Sequence, residues 1–195
     1  TSLSLLEKYI TADIVVLMLL IGYEFIKAVR FAAMNRILRH KAYLDNATGL
    51  PNKNKCEEIL NAPDLLSAQD AVAICVFDLN NLRNINNNLG HDKGDEYIRS
   101  FAVQLRIAVA DEYFVGRDGG DEFIAVLKNV TRMQVEECLR DIREQAAKYS
   151  KEYPEMPISY AVGYAMSQDF EQSTMRELFR YADKNMYIDK NRAKM

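Results

Sequence analysis

The sequence predicts an α+β fold, in which a ferredoxin-like antiparallel sheet is flanked by helices and preceded by a long N-terminal helix. Three observations predict it. Several segments carry apolar residues at helical spacing, and short runs rich in β-branched residues alternate with them. A Gly119-Gly120 pair joins two of these runs as a tight hairpin. From the first strand onwards, the predicted order is strand, two helices, hairpin, helix, strand and helix.

Composition limits the function classes that the chain can belong to. Its 195 residues suffice for one domain of about 150 residues with an extension, and we predict a helix over 1–44 and a domain over 45–195. The formal net charge of −3 gives no general field for nucleic acid, so no nucleic-acid partner is predicted. Three widely spaced cysteines predict reduced thiols in a cytosolic compartment, and two histidines exclude a multi-histidine zinc site.

Residues 1–44 contain no proline and one glycine, which predicts a continuous helix. The apolar run Ile14–Tyr23 would cover about 15 Å as a helix, half of a bilayer core of roughly 30 Å. Basic residues follow it, as in a helix that leaves a membrane on its cytoplasmic side: Lys27, Arg30, Arg36, Arg39 and Lys41. Two interpretations stay open, namely the end of a membrane anchor or a soluble stalk that packs on a second copy.

The first elements of the main domain have clear boundaries. Residues 45–52 contain Gly, Pro and Asn and break the helix, and Asn52 is predicted to cap a helix over about 53–61. Ala71–Asp78 is a continuous apolar run that ends in a carboxylate. Such a run predicts a buried central strand.

The remaining elements follow from helical and strand periodicity. We predict a helix over about 93–109, the hairpin through Leu127, a helix over about 132–150 capped by Thr131, a strand over Ile158–Ala165 and a last helix over about 174–189. In a ferredoxin-like topology the third strand, which is the second strand of the hairpin, lies antiparallel beside the first strand. Asp78 would then lie next to Asp121 and Glu122, and such a carboxylate cluster suits a hard cation such as Mg²⁺.

Three stretches together resemble one family. The run from Gly119 to Phe123 resembles the signature of the GGDEF family, the diguanylate cyclases. Residues 78–95 resemble its second signature, in which a strand-end Asp leads to a short helix, an Asn and a Gly-His-x-x-Gly-Asp motif. Residues 48–52 are similar to the loop before its catalytic core. The resemblance covers 45–195 as a GGDEF catalytic domain and implies a nucleotide-cyclase-like fold.

The resemblance implies a diguanylate cyclase that condenses two GTP into cyclic di-GMP and two pyrophosphates, with Mg²⁺ or Mn²⁺. Asp78, Asp121 and Glu122 are the implied catalytic residues and, with the Leu79 carbonyl, the implied metal ligands. Glu122 could instead assist the attacking hydroxyl. Because the product is two-fold symmetric, two domains must face each other, so we expect a homodimer arranged by 1–44.

The family also implies substrate-binding residues. Asn86 and Asp95 fall where the family contacts guanine, and the carboxylate of Asp95 favours GTP over ATP. Lys190 and Lys194 lie one helical turn apart and are the implied triphosphate contacts, with Arg83 as a further candidate. The alternatives are a turn residue for Asn86 and a frayed basic terminus for the two lysines.

Departures from the family keep a second function open. Asn80 and Asn87 stand where the family often has Asp, so a catalytically silent GGDEF domain that binds GTP as a regulatory module is the alternative. Ala110 and Tyr113 replace the family's product-binding Arg-x-x-Asp, which predicts no product inhibition. We expect a cytoplasmic domain tethered to the cytoplasmic face of the bacterial inner membrane.

Overall fold

The computed structural model describes the backbone of residues 2–192 and the side chains of residues 9–10, 13–35 and 42–192. The chain divides into two compact units, Thr1–Ala42 and Tyr43–Met195. The helices are α1 (Ser2–Tyr43), α2 (Lys53–Leu60), α3 (Leu82–Leu89), α4 (His91–Ala108), α5 (Arg132–Glu152) and α6 (Met175–Arg192). The strands are β1 (Leu65–Ser67), β2 (Ala73–Leu79), β3 (Phe114–Gly119), β4 (Glu122–Leu127), β5 (Tyr160–Met166) and β6 (Gln172–Thr174).

The first unit consists of α1, a helix of 42 residues that confirms the predicted N-terminal helix. Its large apolar side chains between Tyr9 and Met34 are exposed, including every residue from Ile14 to Ile21. Exposed apolar residues that follow one another directly cannot share one face of a helix. Within the described part of the chain, no helix is long and apolar enough to cross a membrane.

The second unit is built on a four-stranded antiparallel sheet of order β3-β4-β2-β5. The predicted α+β fold is confirmed, and β4, the second strand of the hairpin, lies antiparallel beside β2, the first long strand. Side chains alternate between the two faces of a strand. One face of the sheet therefore packs on α4 and α5, and the other packs on α2 and α6.

Aromatic residues fill the larger core between the sheet and α4. The rings of Phe101 and Phe123 lie 5.1 Å apart edge to face, and the rings of Phe77 and Phe101 lie 6.2 Å apart in a similar arrangement. In both pairs the electropositive edge of one ring faces the electronegative face of the other, which is favourable. Burial of each such side chain contributes about 1.5–3 kcal/mol, which holds α4 firmly on the sheet.

Helix caps match the predictions from sequence. The Asn52 side chain accepts a hydrogen bond from Lys55 N–H at the start of α2, and Thr131 forms a capping box with Gln134 at the start of α5. The pairing of β1 with β6 was not predicted. Each of these strands has three residues, which is too short for a periodic pattern, and they pair across more than a hundred residues of chain.

A glycine allows α6 to lie very close to β5. The β5 residues that face α6 are small, namely Ala161, Gly163 and Ala165. A Cβ atom on Gly163 would meet the backbone nitrogen of Met186 at 2.0 Å and the carbonyl oxygen of Ala182 at 2.3 Å. Backbone atoms cannot rotate away as a side chain does, so this contact requires glycine.

We therefore expect Gly163→Ala to destabilise the domain by about 2 kcal/mol or more, because α6 would have to move off the sheet. Urea unfolding monitored by circular dichroism measures the change. Gly22→Ala is the matched control, since nothing lies within 4 Å of a Cβ atom at that helical position. Equal stability of the two variants would contradict the close packing of α6 on β5.

Candidate active site

The end of β2 meets the start of β4 at one edge of the sheet. Leu79 N–H donates to the carbonyl oxygen of Asp121 at 2.9 Å. Asp78 lies directly opposite Glu122 in the strand register, and opposite residues of an antiparallel pair project to the same face. The predicted adjacency of these three acidic residues is present, and it follows from backbone pairing.

The hairpin between β3 and β4 is a rigid support for the two carboxylates. Gly119 and Gly120 have φ of +140° and +44°, conformations that favour glycine. The Arg117 guanidinium donates to the Gly120 carbonyl at 2.7 Å and to both carboxylate oxygens of Asp45 at 3.1 and 3.2 Å. Burial alone would raise the pKa of Asp45, but hydrogen bonds from Thr48 and Arg117 lower it below its ordinary value. Arg117 thus supports the hairpin.

A lysine from α6 neutralises the strand-end carboxylate. Lys190 Nζ donates to both carboxylate oxygens of Asp78 at 2.7 Å. Asp78 is only 6% exposed, and a carboxylate so placed needs a charged partner. Lys190 continues the row of buried α6 residues at four-residue spacing, Leu178, Ala182 and Met186, so the face that packs on the sheet also aims the ammonium at Asp78.

An open cavity of about 360 Å³ lies at this edge. Five predicted site residues line it, and the other lining residues belong to the β2–α3 turn, the start of α3 and the residue before β5. The full lining is Asp78, Leu79, Asn80, Asn81, Leu82, Arg83, Asn84, Asp121, Ser159 and Lys190. The structure therefore brings Asp78, Leu79, Arg83, Asp121 and Lys190 together. A cavity lined by both cations and carboxylates suits an anionic ligand that carries a cation of its own.

Other predicted residues lie beside this cavity or outside the described residues. Asn86 on α3 packs against Gly94 on α4, where a Cβ atom would meet its side-chain oxygen at 1.9 Å. Asp95 follows Gly94 and is exposed. Asn86 and Asp95 thus lie on two packed helices but do not line the cavity. Lys194 lies outside the described residues.

Negative charge accumulates around Glu122. Partial burial, followed by the carboxylates of Asp118, Asp121, Asp78 and Asp183, raises the pKa of Glu122 above its ordinary value. Each neighbouring negative charge disfavours ionisation of the next. A bound cation would relieve this repulsion.

Asp118 is a buried acid that sequence reasoning missed. It directly precedes the Gly-Gly pair and is 9% exposed, and its Oδ1 has no hydrogen-bond partner within the described part of the chain. Burial raises the pKa of this carboxyl group. The one signal in the sequence is an acidic residue directly before the Gly-Gly pair, next to Arg117 in β3.

The donor chemistry of the strand edge suits a hard divalent cation. Asp78, Asp121 and Glu122 supply carboxylate oxygens, and Leu79, the last residue of β2, lines the cavity and can add its backbone carbonyl oxygen. Among the side chains that the structure describes, no three His, Cys, Asp or Glu residues are grouped closely enough to hold a metal. Asp78 instead binds the Lys190 ammonium, so it already binds a cation in this conformation.

Ser159 is a further cavity residue that the sequence did not reveal. Asn80 N–H donates to the Ser159 carbonyl at 2.8 Å, and the Asn80 side-chain amide donates to the Ser159 hydroxyl at 3.2 Å. Ser159 N–H in turn donates to the Tyr97 hydroxyl at 3.0 Å. Asn80, a departure from the family pattern, therefore joins the end of β2 to the start of β5.

A family model described as "Diguanylate cyclase, GGDEF domain" matches residues 42–195. A protein of Staphylococcus saprophyticus described as an uncharacterized membrane protein is 28% identical over 168 residues, which is 83% of this chain and 46% of that protein. A similarly described protein of Staphylococcus aureus strain USA300 is 26% identical over 171 residues, 84% of this chain and 47% of that protein. The chain spans about half the length of these relatives.

Solved structures share the fold. The coiled coil and GGDEF domain of DgcB from Caulobacter crescentus, in complex with c-di-GMP, matches with a TM-score of 0.74 at 20% identity over 88% of this chain and 92% of that chain. An EAL/GGDEF domain protein from M. capsulatus matches with a TM-score of 0.58 at 29% identity over 70% of this chain and 88% of that chain.

We expect Glu122→Gln to stabilise the domain at neutral pH. The raised pKa of Glu122 means that the folded state holds its proton more tightly than the unfolded state, so ionisation costs stability as the pH rises above the ordinary glutamate value. Urea unfolding at about pH 4 and about pH 7 should therefore show a larger gain at the higher pH. Glu144→Gln, at an exposed position of α5, is the control. A loss of stability at neutral pH would contradict the repulsion among the carboxylates.

Proposed function

The chain belongs to the GGDEF domain family of diguanylate cyclases, and on that basis we propose that it condenses two GTP into cyclic di-GMP and two pyrophosphates. One observation carries the proposal: the GGDEF hairpin holds Asp121 and Glu122 beside Asp78 at the end of β2. Lys190 and Arg83 line the cavity at the same edge of the sheet. In each of two steps, the 3′-hydroxyl of one nucleotide attacks the α-phosphorus of the other. The new O–P bond replaces the bond to pyrophosphate, and the hydroxyl loses its proton.

Four groups would hold Mg²⁺ or Mn²⁺: the carboxylates of Asp78, Asp121 and Glu122, and the carbonyl of Leu79. When bound, the cation supplies positive charge that stabilises the attacking and leaving oxygens. The alternative role of Glu122 is to accept the proton of the 3′-hydroxyl. Four carboxylates around Glu122 add to the effect of burial in raising its pKa, and a bound cation would offset their negative charge, which supports a cation at this site.

Lys190 and Arg83 are the proposed triphosphate contacts, together with Lys194. Support comes from the cavity, where Lys190 and Arg83 line the same space as the acidic residues. The Lys190 ammonium holds Asp78 at 2.7 Å. A triphosphate carries more negative charge than one carboxylate, so it competes for this ammonium and leaves Asp78 available as a ligand.

Asn86 and Asp95 are the proposed guanine contacts. A carboxylate can accept hydrogen bonds from guanine N1–H and the exocyclic amine, and an amide can both donate and accept. The contact between Asn86 and Gly94 brings α3 close to the turn of α4 that carries Asp95. Adenine lacks the matching donors, so this pair favours GTP over ATP.

Turnover requires two domains that face each other, because each presents one GTP. We assign the association of the two copies to α1, the proposed N-terminal stalk of residues 1–44, with the catalytic domain over 45–195. The exposed apolar side chains of α1 support this assignment, since pairing with a second copy would bury those on one face of the helix at about 25 cal/mol per Å². Tethering to the cytoplasmic face of the bacterial inner membrane stays a prediction from the sequence.

The second candidate function is a catalytically silent GGDEF domain that binds GTP and regulates a partner. The observation that favours it is Asn80, which stands where the family often has an acid. Its side-chain amide donates a hydrogen bond to the Ser159 hydroxyl. Both functions require GTP binding, and they differ in turnover.

The purified chain should convert GTP into cyclic di-GMP with Mg²⁺ or Mn²⁺, and the rate should rise faster than linearly with protein concentration because two copies share one reaction. Mass spectrometry identifies the product. Asp121→Asn should lower the rate by about a hundredfold or more, since it removes a charge from the proposed cation site. Asp141→Asn, at an exposed position of α5, is the control. GTP binding without product at high protein concentration would favour the silent regulatory module.

Added cyclic di-GMP should leave the initial rate unchanged. The residues in place of the Arg-x-x-Asp motif are Ala110 and Tyr113, which supply neither a guanidinium nor a carboxylate. Initial rates measured over a range of added product test this expectation, with pyrophosphate as the positive control for inhibition at the active site. Strong inhibition by micromolar product, with pyrophosphate removed enzymatically, would show a product site elsewhere on the domain.

A further inference from the structure

The exposed edge of β5 is covered by side chains of α6. β5 is an edge strand of the four-stranded sheet, and an edge strand presents backbone groups that the sheet does not use. Val162 N–H donates to the Asp189 carboxylate at 3.0 Å, and the Asn185 amide donates to the Tyr164 carbonyl at 2.9 Å. Asn185 and Asp189 are four residues apart, so they lie on one side of the helix.

These two hydrogen bonds lie on either side of the closest contact between α6 and the sheet. Gly163 separates Val162 from Tyr164 and lies against the α6 backbone at Met186. The helix is therefore held by backbone packing on the strand and by two side chains over its edge. Asp189 provides this attachment in the last described turn of α6, where helices ordinarily fray.

Asp189 is also placed to control Lys190. Val162 follows Ala161, and Ala161 is the register partner of Asp78. Neighbouring residues of α6 thus contact neighbouring points of the sheet, Asp189 at the edge of β5 and Lys190 at the end of β2. Adjacent residues on a helix do not face each other, so Asp189 acts on Lys190 through the position of the helix turn.

We propose that Asp189 is a positioning residue, which fixes the last turn of α6 on the edge of β5 so that the Lys190 ammonium is held at Asp78 and at the phosphate site. The proposal rests on the proposed function for the phosphate site, but the contact with Asp78 does not depend on it. A lysine side chain loses much rotamer freedom when it is held in one place. A fixed helix turn reduces that cost before the ligand arrives.

A double-mutant cycle on nucleotide binding tests the proposal. The ligand is 3′-deoxy-GTP with Mg²⁺, which lacks the attacking hydroxyl, and its affinity is measured by isothermal titration calorimetry. Asp189→Ala should weaken binding by about three- to tenfold, the size of one ordinary hydrogen bond, because the lost contact is to Val162 and acts on the ligand only through Lys190. Asp189→Asn keeps an acceptor oxygen and should stay within about twofold of the wild type. Lys184→Ala, exposed on the same helix, is the control.

The decisive comparison is between Lys190→Gln and the double variant Asp189→Ala/Lys190→Gln. If Asp189 acts through Lys190, the double variant binds no more weakly than Lys190→Gln alone. Additive losses would overturn the proposal, because they would show an effect of Asp189 that is independent of Lys190.

A second measurement needs no nucleotide and tests the positioning role of Asp189 separately from the proposed function. The coupling between Asp78 and Lys190 is obtained from urea unfolding of Asp78→Asn, Lys190→Gln and the double variant, in the wild-type and Asp189→Ala backgrounds. We expect Asp189→Ala to reduce the coupling and Asp189→Asn to retain it. Unchanged coupling would overturn the positioning role even if the chain is an active cyclase. A chain that makes no cyclic di-GMP but loses the coupling would refute the proposed function alone.

Discussion

The antiparallel pairing of β2 with β4 is the constraint on which the candidate site depends. It places Asp78 opposite Glu122 and joins Leu79 to Asp121 through a backbone hydrogen bond. Backbone pairing holds these acids together although their charges repel; burial first, and then the neighbouring carboxylates, raise the pKa of Glu122. The hydrogen bonds of the sheet and the aromatic core behind it offset this repulsion, so that the fold keeps negative charge at one edge for a cation to stabilise.

The last helix completes the site from the other face of the sheet. Small residues on β5, with Gly163 at the closest point, let α6 lie near enough for Lys190 to reach Asp78. A buried carboxylate without a charged partner would destabilise the folded state. The Lys190 ammonium stabilises Asp78, and the packing of α6 on the sheet holds that ammonium in place. The cavity at this edge therefore contains carboxylates and cations together, as the proposed metal–triphosphate substrate requires.

Much of the fold could be predicted from local patterns. The caps at Asn52 and Thr131, the hairpin at the Gly-Gly pair and the buried central strand all depend on residues that are close in sequence. The strand pairing that joins Asp78 to Glu122 could also be predicted, because the order of elements is compatible with few topologies. The small sheet of β1 and β6 could not, since strands of three residues carry no periodic signal.

The sequence by itself determined the order of the elements, the family and most of the residues with suitable chemistry, because motifs and periodicity are properties of neighbouring residues. Tertiary structure alone decided which partners several polar side chains find. Lys190 binds an acid 112 residues away, Asn80 binds Ser159 across 79 residues, and Asp189 covers a strand edge 27 residues before it. These contacts depend on how whole helices and strands pack. The close approach of α6 to Gly163 brings Asp189 and Lys190 within hydrogen-bond distance of the sheet.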